Sequence, residues 1–498
     1  MRAVVSGIVC FALCLYSALA MAEQAALDLP AKGTLIHWPE AIDQGNGQLG
    51  LAERGTLYVP ADRASADSGT LALSYWRFRK VGPPAAERAP IFMLEGGPGF
   101  LGYNRNAAGY YIDYVRPYLN IADVVIVGQR GIGAAYPATD CPPPKGTSNT
   151  PLDPRYGPAA AQASRDCQAF WRAAGVPIEG LTVPAAAADV DDLRKALGYD
   201  QIVLMAESFG THWAIAVMRQ YPASVARAVL DSVEGPDHTY DAPSGRFRVL
   251  ERIAADAEAS DAFKGSVPVG GFIEALKRTI GAAEAAPIRF EMDNDAVTLT
   301  AAGLRTLSEG YLAPPRGSSW PAVWPLGILQ WSRGDFTATA EALAGPYRFA
   351  DFWHSVSFFQ FDCGSGISPE RDRALLNDPA LAFIDDPNAL YRHACPEWDM
   401  DYGADFRGRF SSTVPTLIVH GDWDLSTPWE NALELIDQFE QGQLVRVRRG
   451  EHGTLRNAME QDDEFAQAVM RFLSGEETQF PSEIVLPPPS WVTSLDVD

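Results

Sequence analysis

A serine flanked by small residues, where an apolar run gives way to a helix-forming stretch, is the first place this chain can do chemistry. Gln201-Ile-Val-Leu-Met-Ala-Glu-Ser-Phe-Gly210 reads as a buried strand entering a tight turn at Ser208, with Ala206 two residues before it and Gly210 two after. A turn this sharp leaves no room for larger side chains at those positions and lifts the hydroxyl to the sheet edge. It also sets Ser208 at the amino end of the next helix, where unpaired N–H groups favour developing negative charge. The Phe209 N–H is then one oxyanion donor. Small-x-Ser-x-Gly arises by chance in long chains, so the serine needs partners.

A serine hydroxyl needs a base to take its proton, and the base needs an acid to fix its tautomer and stabilise its charged form. After a strand-turn-helix serine these follow in the order acid, then histidine. Pro415-Thr-Leu-Ile-Val-His-Gly-Asp-Trp-Asp-Leu-Ser-Thr-Pro428 reads as a buried strand that ends at Gly421 and delivers acids onto a loop. Asp424 is preferred to Asp422 because it stands clear of the turn and directly precedes Leu-Ser-Thr-Pro. Helix capping is the rival role for either acid, and Thr427 before Pro428 offers a separate cap. One helix and one strand later, Leu444-Val-Arg-Val-Arg-Arg-Gly-Glu-His-Gly453 puts His452 in a glycine-flanked loop. His212 lies one helical turn beyond Ser208, His420 sits within a strand, and His37, His238, His354 and His393 fall away from the loops that carry the acid and the serine.

The second oxyanion donor is expected where Pro90-Ile-Phe-Met-Leu-Glu-Gly-Gly-Pro-Gly-Phe100 breaks from a strand into a glycine-rich loop. Gly96 and Gly97 can bring N–H groups close to a substrate, Pro98 has none to give, and Gly97 is the choice. The loop lacks the lysine and spacing of a phosphate cradle.

These loops must hang from β-α units. Apolar runs at about Ala89–Glu95, Ala122–Val127, Gln201–Ala206, Arg227–Asp231, Pro415–His420 and Leu444–Val447 alternate with amphipathic stretches, which predicts an α/β fold around a mostly parallel central sheet. Gly55–Val59 and Thr70–Arg77 form an antiparallel hairpin at its start. Helices are expected over Ala185–Leu197, Gly210–Tyr221 and Glu460–Leu473. Past Gly235 the alternation gives way to Ala-, Trp- and Pro-rich sequence, read as an inserted, mainly helical cap. The expected division is residues 1–22 leader, 23–235 first part of the core, 236–413 cap and return to the core, 414–475 second part of the core, and 476–498 tail.

The leader follows from Met1-Arg2, an apolar run from Ala3 to Leu19, and small residues around Ala20 and Ala22. That is the pattern of a cleaved signal peptide, too short and too interrupted for a stable span, and it implies a secreted or periplasmic protein. Cys10 and Cys14 leave with it. Cys141, Cys167, Cys363 and Cys395 remain, and the pairings closing the shortest loops, Cys141 with Cys167 and Cys363 with Cys395, are expected in an oxidising compartment. A net charge of −23 disfavours nucleic acid and anionic membrane surfaces as partners. No cofactor or metal motif stands out. The oligomeric state is not legible.

With these residues in place, the chain resembles the secreted prolyl aminopeptidase and tripeptidyl aminopeptidase branch of the α/β-hydrolases over nearly its whole mature length. Glu95-Gly-Gly-Pro-Gly99 is similar to that branch's His-Gly-Gly-Pro-Gly loop, Gly128-Gln-Arg-Gly131 to its Asp-Gln-Arg-Gly, and Glu207-Ser-Phe-Gly210 to its Glu-Ser-Tyr-Gly elbow. Asp424-Leu-Ser-Thr-Pro428 resembles its Asp-Pro-Val-Thr-Pro, and Cys363 and Cys395-Pro-Glu-Trp398 also look like its larger members. Glu95 and Gly128 depart from the pattern and leave substrate preference open. Arg130 reads as structural, tying down carbonyls near a strand end. The resemblance implies a serine hydrolase with Ser208, Asp424 and His452 as its triad, removing residues or short peptides from free amino termini, with cap acids reading the substrate ammonium. The candidate for that role is Glu234, just past Asp231-Ser-Val233. A carboxylesterase or lipase acting on small esters is the alternative, and a catalytically dead binding module a third reading that no missing triad residue favours.

Overall fold

The computed structural model describes residues 29–44, 48–81, 88–99, 107–142, 155–292, 295–344 and 355–494. The expected leader lies outside them. Ten strands form one sheet, in the order β1-β2-β3-β5-β4-β6-β7-β10-β11-β12. They are β1 (Leu35–Asp43), β2 (Leu49–Pro60), β3 (Thr70–Phe78), β4 (Ile91–Leu94), β5 (Val124–Val127), β6 (Ile202–Glu207), β7 (Val225–Asp231), β10 (Thr416–Gly421), β11 (Gly442–Arg448) and β12 (Glu483–Val485). A separate hairpin joins β8 (Ile288–Met292) to β9 (Asp295–Leu299). The first three strands are antiparallel, β3 meets β5 antiparallel, and every pairing from β5 through β12 is parallel.

The apolar runs are nearly continuous because both sheet faces are covered. On β4, Phe92 and Leu94 enter one core while Ile91 and Met93 enter the other; on β5, Val125 and Val127 alternate with Val124 and Ile126 in the same way. This period of two, with neither face left to water, is what a parallel sheet between helical layers requires. The helix Phe209–Gln220, which follows Ser208, packs in the first core, and Asp463–Leu473 buries Phe465, Val469 and Phe472 in the second.

Several expectations need adjustment. Strand limits shift slightly, as where the expected start at Ala122 becomes Val124. The single carboxyl-terminal helix is two, Leu455–Gln461 and Asp463–Leu473, broken at Asp462. That residue is extended, and its carboxylate caps the second helix by accepting from Glu464 N and Phe465 N. β1 escaped notice because Pro39 and solvent-facing Ile36 and Trp38 blur its alternation, as edge strands allow. The extended tail supplies β12, then packs Trp491 against Phe263 and Trp423.

Between β7 and β10 lie helices and the β8–β9 hairpin. Phe247, Leu250, Phe272, Trp324 and Trp331 build a third core there, joined by Trp423. The later helix Val356–Ser365 returns instead to the core that holds the Phe209–Gln220 helix. Cys141 is bonded to Cys167 and Cys363 to Cys395. Among the described residues no helix is long and apolar enough to cross a membrane.

Candidate active site

Ser208 stands at the end of β6 with φ 58° and ψ −134°, a conformation that non-glycine residues adopt only when their surroundings force it. The forcing is visible. A Cβ on Gly210 would overlap the Leu94 carbonyl oxygen, and one on Gly96 would lie 2.7 Å from Ser208 Cβ and 3.1 Å from its Oγ. The Ser208 N–H donates to the Asp231 carbonyl at 3.1 Å, tying the elbow to β7.

The glycine-rich loop is held by Gln129, whose amide donates to the carbonyls of Glu95 (3.1 Å) and Gly96 (3.0 Å) and accepts from Gly99 N (3.0 Å). Gly96 is the glycine pressed against the serine; Gly97 follows it, exposed and at φ 111°. Phe209 opens the helix behind Ser208 and is buried. The missing aspartate at Gly128 has a steric reason, since a Cβ there would come within 2.6 Å of the Ser74 carbonyl oxygen. Arg130 is fully buried, pairs with Asp189 and donates to the carbonyls of Ala61 and Gly180. Glu95, the other departure, lines a cavity of about 300 Å³ beneath the elbow together with Tyr110, Tyr114, Glu207 and Asp231.

His452 Nδ1 lies 2.9 Å and 3.0 Å from the two carboxylate oxygens of Asp424. Asp424 is fully buried and also accepts from Ser426 N, Thr427 N and the Thr427 hydroxyl. Burial would raise its pKa, but the His452 charge and these hydrogen bonds prevail and hold it at about 2. Burial likewise works against charge on His452, yet Asp424, with Glu207 and Asp231 behind it, lifts the imidazole to about 9. Asp422 is engaged elsewhere, with Arg446 at 2.6 Å and Arg449 N at 2.8 Å. The histidine loop shares an anchor with the elbow, because the Asp231 carboxylate accepts from Thr454 N (3.2 Å) and Leu455 N (2.9 Å) and Ser232 Oγ accepts from Gly453 N (2.9 Å). Asp231 and Ser232 had no assigned role in the sequence; an acid at a strand's carboxyl end was the available signal.

Glu234 is half-buried, and desolvation, then the charges of Asp362 and Asp241, push its pKa up. Asp241 is paired with Arg246 and Asp362 accepts from the Tyr391 hydroxyl at 2.7 Å. Burial also lifts Asp362 to about 8, so Glu234 and Asp362 rest in the protonated form near neutral pH.

His212 and His420 are fully buried and held neutral. Burial lowers His212 to about 4, with Nδ1 donating to the Gly235 carbonyl. An unfolded histidine protonates near 6.5, so the contribution of a neutral His212 is complete above that pH and is lost as pH falls toward 4, by about 3 kcal/mol. Buried acids with raised pKa values act in the opposite sense. The measurable quantity is therefore a difference: the drop in unfolding free energy between pH 7 and pH 4.5 should be about 2 kcal/mol smaller in His212→Asn, which does not titrate, than in the natural protein. Equal drops would refute the burial argument.

The family models that match this chain agree with this architecture. A family model described as alpha/beta hydrolase fold matches residues 89–271, and one described as TAP-like protein matches residues 383–478. A tripeptidyl aminopeptidase of Streptomyces lividans is 23% identical over 433 residues, covering 80% of this chain and 78% of that protein. A putative hydrolase, YuaR, of Escherichia coli (strain K12) is 22% identical over 382 residues, covering 72% of this chain and 73% of its own. A solved serine hydrolase from Cycloclasticus zankles aligns over 88% of this chain and 99% of its own, at 12% identity and a TM-score of 0.34.

Proposed function

The chain belongs to the α/β-hydrolase superfamily, and from that premise we propose that it is an exported serine peptidase that removes residues or short peptides from free amino termini. The observation that carries the reading is the short contact between His452 Nδ1 and the buried Asp424 carboxylate, on loops anchored to the strained Ser208 elbow.

In this mechanism neutral His452 takes the Ser208 proton on Nε2 as Oγ attacks the scissile carbonyl, while Asp424 steadies the Nδ1–H. The oxyanion forms toward the helix amino end and the glycine loop, with the N–H groups of Phe209 and Gly97 as donors. Collapse expels the amine, which receives the proton from His452 and leaves an acyl-enzyme. Water activated by the same imidazole then releases the acid and restores Ser208. No cofactor enters these steps.

The free-amine preference rests on Glu234. Its carboxyl, crowded by Asp241 and Asp362, gains a counter-charge when an α-ammonium arrives. The relatives named tripeptidyl aminopeptidase support this choice over esterase activity. Tripeptidyl anilides with a free amino terminus should be cleaved at least about a hundredfold faster, in kcat/KM, than their acetylated forms, the scale expected for a desolvated ion pair. Preference for blocked or fatty esters would replace this reading with a carboxylesterase.

A further inference from the structure

Three buried histidines outside the proposed triad converge on one short stretch of backbone. His420 Nδ1 accepts from Val233 N at 3.1 Å and His238 Nδ1 accepts from Gly235 N at 3.1 Å. His212 Nδ1 faces the Gly235 carbonyl oxygen at 3.0 Å and donates to it. Between them the Glu234 N–H donates to the Thr211 hydroxyl at 2.8 Å, and that hydroxyl donates to the Ser208 carbonyl at 2.6 Å. Every peptide group flanking Glu234 is thus held by a side chain rather than by a strand or helix ladder.

The far nitrogens fix the tautomers. His420 Nε2 donates to the Thr427 carbonyl, His238 Nε2 to Glu434, and His212 Nε2 accepts from the Ser365 hydroxyl at 2.9 Å. A ring that accepts on one nitrogen and donates on the other is neutral, and only that form makes both bonds. Side chains set from three directions thus fix the peptide that carries Glu234 next to the elbow.

We propose that His238, His212 and His420 are positioning residues that lock the Glu234 backbone so that its carboxylate meets the substrate ammonium at a set distance from Ser208. This rests on the reading of Glu234 as the amine-recognising acid. None of the three touches substrate, and their effect passes through Glu234.

His238 is the informative one to change. His420 lies 3.7 Å from Asp424, so its loss would disturb the proposed triad directly, and His212 packs against Phe209. In His238→Leu the acceptor for Gly235 N is gone, whereas in His238→Asn the side-chain oxygen stands where Nδ1 stood. Active sites are first counted by fluorophosphonate titration, so that misfolded protein does not enter the rates. Per active site, His238→Leu should raise KM for a free-amine tripeptidyl anilide at least about tenfold while kcat changes less than about threefold, the split expected when ground-state binding is lost. His238→Asn should return KM to within about threefold of the natural value.

Glu234→Gln separates the two ideas. If the natural protein favours free amines and Glu234→Gln raises KM but His238→Leu does not, the positioning role is overturned and the amine-reading role stands. A proportional loss of kcat and KM effects in both His238 variants overturns it as well. Should the natural protein show no preference for free amines, both fall together.

Discussion

Replacing Ser208 by alanine is expected to abolish labelling by a fluorophosphonate probe and to lower kcat by roughly a millionfold, the scale on which nucleophile deletions act in serine hydrolases. The reasoning is local. A hydroxyl at the end of β6 sits at φ 58°, its peptide N–H bonded to β7 and its neighbour Gly96 too close to carry a side chain. Alanine keeps the Cβ and the same backbone demand, so the elbow, the helix behind it and the melting temperature should be unchanged. Residual turnover on the order of 10³ to 10⁴ over water would come from the backbone donors and from binding. Full labelling of a folded Ser208→Ala protein would remove the serine from the chemistry.

The sequence alone carries what local sterics dictate. Ala206 and Gly210 around Ser208 mark a turn that admits only small side chains, and the overlap at the Leu94 carbonyl is that same constraint seen in three dimensions. The β4, β5, β6 and β10 strands were legible because burial on both faces leaves unbroken apolar runs. The mostly exposed β1 and the three-residue β12 were not.

Side chains whose role depends on distant partners were also illegible. Gln129 lies in Gly128-Gln-Arg-Gly131, but its grip on Glu95, Gly96 and Gly99 depends on where a loop some thirty residues away folds. His212, His238 and His420 looked like misfits for a base, and each proves to bond the backbone of residues 233–235. No spacing rule announces such a convergence, because it is made by the ends of β6, β7 and β10 meeting at one edge. The choice between Asp422 and Asp424 lies between these cases: two acids on one loop differ only in that the first turns back to Arg446 and Arg449 while the second reaches His452.

Asp424→Asn should lower the plateau of kcat/KM by roughly ten-thousandfold and move its pH dependence toward acid. In the natural protein Asp424, Glu207 and Asp231 together hold the His452 imidazolium, with the imidazole pushed up to about 9. Only the neutral ring can take a proton from Ser208, so kcat/KM should rise about tenfold per pH unit from 6 to 8, pass half its plateau near 9 and level off above it. At pH 7 roughly 1% of the free enzyme carries the active form. Removing the Asp424 charge takes away the largest opposing influence to burial, so the ionisation falls below 9, while Glu207 and Asp231 still support the charged ring. The plateau falls for a separate reason: an asparagine amide offers Nδ1 a donor as readily as an acceptor, and the tautomer with Nε2 free to accept is no longer enforced. The two effects are read independently, one as the position of the alkaline rise and one as its height, after active-site titration corrects for lost capping at Ser426 and Thr427. A profile for Asp424→Asn that keeps both its height and its midpoint would mean that the carboxylate caps its loop and does nothing for the histidine.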